Sequence, residues 1–255
     1  MYLKIHNLDI YYEKYGTGKN TILILPGWGD TRRTFDYLID YLKNYFTIYI
    51  LDYPGFGKST FKDSLNIYEY SDIINEFVNK LNLENSILIG HSFGGRIISL
   101  LTTKYNIPYK KIILINVAGL KEHSIKLFFK TIIYKLLKKL KYLLPNKLKI
   151  KYQQYLFNKF ASSDYKNLNK DLYKTFQNVV KVNLKQYYKK ITIDTLILWG
   201  DQDTITPINM AYKLNKLIKN SYLIKLSNLH HFPFLENPYL VSQIIYNYLK
   251  KDITE

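Results

Sequence analysis

Cysteine is absent from all 255 residues. That excludes a disulfide framework, a cysteine nucleophile, thiolate zinc sites and iron–sulfur clusters. Long apolar runs are missing too, because no stretch approaches the roughly 18 uncharged apolar residues that cross a bilayer. The opening residues Met1-Tyr2-Leu3-Lys4-Ile5-His6-Asn7 meet polar groups too early for a secretory apolar core. A cytoplasmic protein is the expectation. Arginine is scarce, with only Arg32, Arg33 and Arg96 among 37 basic residues. Lysine without arginine, and without a nucleic-acid-binding motif, reads phosphate geometry poorly, so no nucleic acid is expected as a partner.

What is present is a globular composition. With 47% hydrophobic and 22% charged residues the chain is too apolar for disorder. The formal net charge is +17, and it is unevenly placed. Residues 121–190 hold 18 Lys against Glu122, Asp164 and Asp171, a net of +15, while the rest of the chain carries +2. One segment owns the basicity.

Apolar runs at 21–25, 46–51, 86–90, 111–116 and 194–199 are short, β-rich and bounded by turns, and 8–15 and 222–226 read as further strands. Amphipathic segments fall near 34–44, 67–82, 94–105, 207–219 and 239–250. Alternation of continuous apolar strands with helices predicts an α/β fold. Its central sheet is mostly parallel, with helices on both faces. The rhythm breaks between 120 and 190. There Ile125, Phe129, Ile132, Leu136, Leu140 and Leu143 share one helical stripe, with Lys126, Lys130 and Lys135 off it, before Pro145. The expected organisation is a core of 1–119 and 191–255 with a helical, lysine-rich cap inserted at 120–190.

Gly90-His91-Ser92-Phe93-Gly94 follows the run 86–89 and opens the segment 94–105. This is G-x-S-x-G between a strand and a helix, where a sharp turn strains the serine backbone and leaves no room for neighbouring side chains. The following helix points its N-terminal N–H groups at a site where negative charge develops. A serine hydroxyl needs a base, and the base needs an orienting acid. Only five histidines exist, and His230 and His231 stand just beyond the strand 222–226. Asp201 and Asp203 follow another apolar strand, at Trp199-Gly200. Loops beyond strand C-termini are where open α/β sheets place reactive groups. His91, beside the serine, is expected to support the turn from within.

Together these segments resemble the α/β-hydrolase superfamily across nearly the whole chain. The oxyanion-loop signature is matched by Leu25-Pro26-Gly27-Trp28-Gly29. The D-x-P-G-x-G-x-S turn is matched by Asp52-Tyr53-Pro54-Gly55-Phe56-Gly57-Lys58-Ser59. The acid motif is matched by Trp199-Gly200 with Asp203 and Pro207, and the histidine motif by His230-His231-Phe232 with Glu236 and Pro238. The cap, including Ser162-Ser163-Asp164-Tyr165, is similar to that of small bacterial hydrolases. The resemblance implies a catalytic Ser92, with Asp203 favoured over Asp201 and His231 over His230. It also implies backbone N–H donors on Trp28 and Phe93. One departure is Pro26, where the family often carries His. It leaves both donors in place.

The resemblance further implies a serine hydrolase that cleaves an ester-type substrate (carboxylester or thioester) through an acyl-enzyme, with no cofactor and no metal. A C–C bond hydrolase with the same triad and a non-catalytic binding protein of the same fold are the alternatives. The basic segment 121–190 is expected either as a solvated face or as a contact for an anionic substrate or an anionic membrane surface.

Overall fold

The computed structural model describes residues 1–61, 63–121, 137, 145, 148–152, 155 and 172–253. Eight strands form one sheet in the order β1-β2-β4-β3-β5-β6-β7-β8. They are β1 (Tyr2–Ile5), β2 (Leu8–Tyr15), β3 (Thr21–Leu25), β4 (Thr47–Leu51), β5 (Ile87–His91), β6 (Lys111–Ile115), β7 (Thr195–Gly200) and β8 (Ser221–Leu226). The hairpin β1–β2 and the β2–β4 pair are antiparallel, and every other neighbouring pair is parallel. A mostly parallel sheet is therefore the observed fold class.

Side-chain alternation explains why the parallel strands read as unbroken apolar runs. Ile22 and Ile24 of β3 join one core, while Leu23 and Leu25 join the other. Strand β5 repeats this, with Ile87 and Ile89 on one face and Leu88 on the other. One face is covered by α2 (Ile67–Leu81), α3 (Phe93–Lys104), α4 (Tyr173–Val180), α5 (Lys185–Lys190) and α6 (Ile208–Leu217). The opposite face is covered by α1 (Asp36–Leu42), the short α7 (Pro233–Glu236) and α8 (Pro238–Leu249). Both layers bury isoleucine, leucine and aromatic side chains to completion. Such burial removes roughly 1.5–3 kcal/mol of hydration free energy per large side chain.

Local chemistry sets the helix ends. Asn66 caps α2 by accepting from the N–H groups of Tyr68 and Glu69 at 2.9 and 3.1 Å, and Glu69 reaches back to the Asn66 N–H at 2.6 Å. This is a reciprocal capping box. Asn82 then ends the helix in the left-handed region at φ 52°.

Register decides where the loops converge. Leu25 pairs Gly90, His91 pairs Ile115, Ile115 pairs Leu198 and Gly200 pairs Leu226. The C-terminal ends of β3, β5, β6, β7 and β8 therefore lie level along one edge, and their loops rise from it together.

Two elements were not legible in the sequence. Strand β1 has four residues with only Ile5 buried, and it is held by pairing with β2 through the turn at His6, φ 51°. Helix α7 is one turn, begun by Pro233. The stripe residues Ile125, Phe129, Ile132, Leu136, Leu140 and Leu143, and the segment Ser162–Tyr165, fall outside the described residues. Of the expected insertion, Tyr173–Val180 and Lys185–Lys190 are helical as α4 and α5 between β6 and β7.

Candidate active site

Ser92 stands between β5 and α3 with φ 45° and ψ −104°, backbone that non-glycine residues rarely adopt. The glycine two residues on is required sterically. A Cβ on Gly94 would overlap the carbonyl of Leu25 at the end of β3. The main chain of Ser92 is fully used, its N–H donating to Ile115 O at 3.1 Å and its carbonyl accepting from Gly95 and Ala118 at 3.2 and 3.0 Å. The elbow is thus pinned to β6 while the partly exposed hydroxyl makes no hydrogen bond to any described residue. Phe93 is the first residue of α3, so its N–H has no intrahelical acceptor.

The loop after β3 approaches the same point. Trp28 is held by aromatic neighbours, with ring centroids 4.9 Å from Phe56, 5.2 Å from Phe93 and 5.4 Å from Phe176. Asp30 Oδ2 accepts from the Gly27 N–H at 3.1 Å and lies 3.0 Å from His91 Nδ1. His91 Nε2 donates to the His231 carbonyl at 2.9 Å. Burial pushes the His91 ring below its ordinary value, against the pull of Asp30. His91 therefore ties three loops together from beneath. A Cβ on Gly27 would meet both Asp30 and His91, so this packing needs glycine.

His231 and Asp203 are brought into contact, His231 Nδ1 lying 2.7 Å from Asp203 Oδ2. The ring of His231 sits 4.9 Å, centroid to centroid, from that of His91, the neighbour of Ser92. Asp203 is 4% exposed and receives five hydrogen bonds. Its Oδ1 accepts from the N–H groups of Ile205 and Thr206 at 2.7 and 2.9 Å. Its Oδ2 accepts from His231, from Thr206 Oγ1 at 2.6 Å and from Asn116 Nδ2. Burial pushes this carboxyl up, but the His231, Thr206 and Asn116 hydrogen bonds outweigh it and hold the pKa at about 2. Asp201 is elsewhere, accepting from the Asn228 N–H at 2.8 Å in the β8 turn. His230 points outward to Glu236 at 2.9 Å.

Asn116, Thr206, Asp30 and Arg96 were missed in the sequence. Thr206 had a local signal, a hydroxyl three residues after an aspartate. Asn116 had none. It ends β6 in the left-handed region (φ 45°) and meets Asp203 only across the sheet edge. A cavity of about 180 Å³ opens beside Ser92, lined also by Trp28, Phe93, Arg96, Val179 and Met210. Among the described residues, no group of three His, Cys, Asp or Glu is placed to hold a metal ion, and no helix is long and apolar enough to cross a membrane.

The strained serine on its elbow, the level strand ends and the buried Asp–His pair coincide with a direct sequence match. Residues 20–238 match the family described as alpha/beta hydrolase fold. The chain belongs to the α/β-hydrolase fold family. It is 27% identical to the pimeloyl-[acyl-carrier protein] methyl ester esterase of Wigglesworthia glossinidia brevipalpis, covering 94% of this chain and 98% of that one. It is 24% identical to YugF of Bacillus subtilis (strain 168), an uncharacterized hydrolase, covering 96% of each chain. The crystal structure of a hydrolase from Pseudomonas aeruginosa PA01 superposes with a TM-score of 0.74 at 16% identity, covering 98% of this chain and 97% of that one. This α/β hydrolase is an enzyme of that family.

Proposed function

We propose that the protein is a serine esterase in which Ser92, His231 and Asp203 form the catalytic relay. The observation that carries the reading is the buried Asp203–His231 hydrogen bond together with a strained serine at φ 45° whose neighbour His91 donates to the His231 carbonyl. With Asp203 ionised, its Oδ2 takes the Nδ1–H of His231 and leaves Nε2 as the basic nitrogen. Nε2 removes the Ser92 proton as Oγ attacks the ester carbonyl, and His231 then returns that proton to the departing alcohol. Water, activated by the same ring, releases the acid from the acyl-enzyme. The N–H groups of Trp28 and Phe93 would receive the oxyanion, each donor worth roughly 3–4 kcal/mol of barrier.

The small, mostly apolar cavity suits a short ester, and the relative from Wigglesworthia is named for hydrolysis of a methyl ester. A carboxylic ester with a small alcohol is accordingly the substrate class. In this reading the segment 120–190 is a cap beside the cavity. Its described helices α4 and α5 expose Lys174, Lys185, Lys189 and Lys190 to meet an anionic surface.

Hydrolysis of methyl and p-nitrophenyl esters by the wild-type protein and by Ser92→Ala tests the reading. Loss of turnover in the variant supports it. Equal rates in the two proteins, or no turnover and no Ser92 labelling by a fluorophosphonate, would overturn it.

A further inference from the structure

Arg96 lies on α3 one turn beyond Ser92 and lines the same cavity. It is only 8% exposed, on a helix face otherwise built of apolar side chains such as Ile97, Leu100 and Leu101. An interior cation normally sits against a carboxylate. Arg96 does not. Its Nη1 donates to the carbonyls of Val179 and Val182 at 3.2 and 3.1 Å, at the C-terminal end of α4. Among the described residues those are its only hydrogen bonds, and no described carboxylate pairs with it. A guanidinium has five N–H groups in a fixed fork, so Nε and Nη2 are left without acceptors among the described residues. Clamping α4 to α3 uses two donors and explains one edge of the fork. The other edge and the charge are unexplained by packing.

We propose that Arg96 makes this cavity an anion subsite, so that the preferred ester carries a carboxylate on its acyl side. This rests on the esterase reading above. The free edge of the fork matches a carboxylate in size and geometry, and a bidentate pair formed away from bulk water is the strong form of that contact. Ser92 and Arg96 line one cavity of about 180 Å³, and that volume limits the chain between the scissile carbonyl and the carboxylate to a few carbons. The substrate class is then the monoester of a short dicarboxylic acid. Hydrolysis gives the diacid and the alcohol, with water as the only co-reactant.

The test compares monomethyl glutarate with methyl valerate by alcohol release, and glutarate with valeramide by titration calorimetry. Wild type is expected to favour the hemiester in kcat/KM and to bind glutarate but not valeramide. In Arg96→Gln, which keeps a donor for Val179 and Val182, the hemiester-to-neutral ratio and the glutarate affinity should each fall at least tenfold. Arg96→Lys, which retains charge without the fork, should fall between. Unchanged ratio and affinity in folded Arg96→Gln would overturn the proposal. So would wild-type protein that binds glutarate no better than valeramide, whatever the variants do. Glutarate binding that depends on Arg96, with no ester turned over, would sink the esterase reading and leave the subsite standing. Turnover that ignores Arg96 would do the reverse.

Discussion

The loop after β7 and the turn after β5 are built in opposite ways. Asp203 is sealed and accepts five hydrogen bonds, so every lone-pair direction of its carboxylate is engaged. Ser92 is partly exposed, strained at φ 45°, and its hydroxyl is unengaged among the described residues. The first is a stabilising arrangement, because an ionised carboxylate inside protein is tolerable only when fully hydrogen-bonded. The second is a destabilising one, since such backbone costs on the order of 1–3 kcal/mol. In the proposed relay the acid must not move, whereas the nucleophile must be free to attack. The same sheet edge supplies both, one held by satisfied polar groups and the other by the surrounding packing.

That contrast can be broken by substitution. Ser92→Ala should lower kcat by roughly 10⁴- to 10⁶-fold with little change in thermal stability, read by ester turnover and a melting curve. Ser92→Gly should abolish turnover equally and also raise Tm by roughly 2–4 °C, because glycine accepts the positive φ without strain. A lowered Tm there would mean that the elbow is not strained.

Asp203→Asn should lower kcat by roughly 10⁴-fold, through the wrong His231 tautomer. Asp201→Asn, at a side chain that meets Asn228, Gln202 and Lys225 instead of His231, should leave kcat near wild type. The reverse ranking would move the acid to Asp201. A smaller effect is expected at Thr206→Val, which removes one hydroxyl from Asp203 Oδ2 and should destabilise by roughly 1–3 kcal/mol in urea unfolding.

The pH dependence has a definite sign. The folded pKa of Asp203 lies at about 2, below the ordinary carboxylate value of 3.8. Its contribution is therefore complete above about pH 4 and lost as the pH falls from 4 toward 2. The amount is about 2 kcal/mol. Urea midpoints between pH 5 and 2.5 should show this acid-labile component in wild type and not in Asp203→Asn.

The smallest expected effect concerns the lysine-rich segment. Wild-type protein should co-sediment with anionic vesicles at low ionic strength and release in high salt, because surface charges are screened within roughly 8–10 Å at ordinary salt. Equal binding to neutral vesicles would refute an electrostatic contact.

Much of the fold was legible because local sequence carries it. Strands β3, β5, β6 and β7 carry unbroken apolar runs between their ends since both sheet faces are covered, and the elbow, with its glycines, is a local steric necessity. Strand β1 was not legible, because four residues with one buried side chain have no pattern until β2 supplies hydrogen bonds. Helix α4 lies in the segment whose apolar stripe pointed to helices, yet its role in holding Arg96 depends on carbonyls more than 80 residues away in the chain. The adjacent acids show the same divide, since nothing in the two residues' own neighbourhood distinguishes them as firmly as the contact with His231 does.

The amino-acid order alone determined the alternating strands and helices, the sharp serine turn and the family it resembles, since periodicity, glycine and short-range capping act within a few residues. Only the folded sheet decided that Asn116 and Thr206 would ionise and lock Asp203, that His91 would bind Asp30 and the His231 carbonyl, and that Arg96 would lie buried without a described carboxylate. Those outcomes depend on strand register and on desolvation, and both are properties of the packed chain.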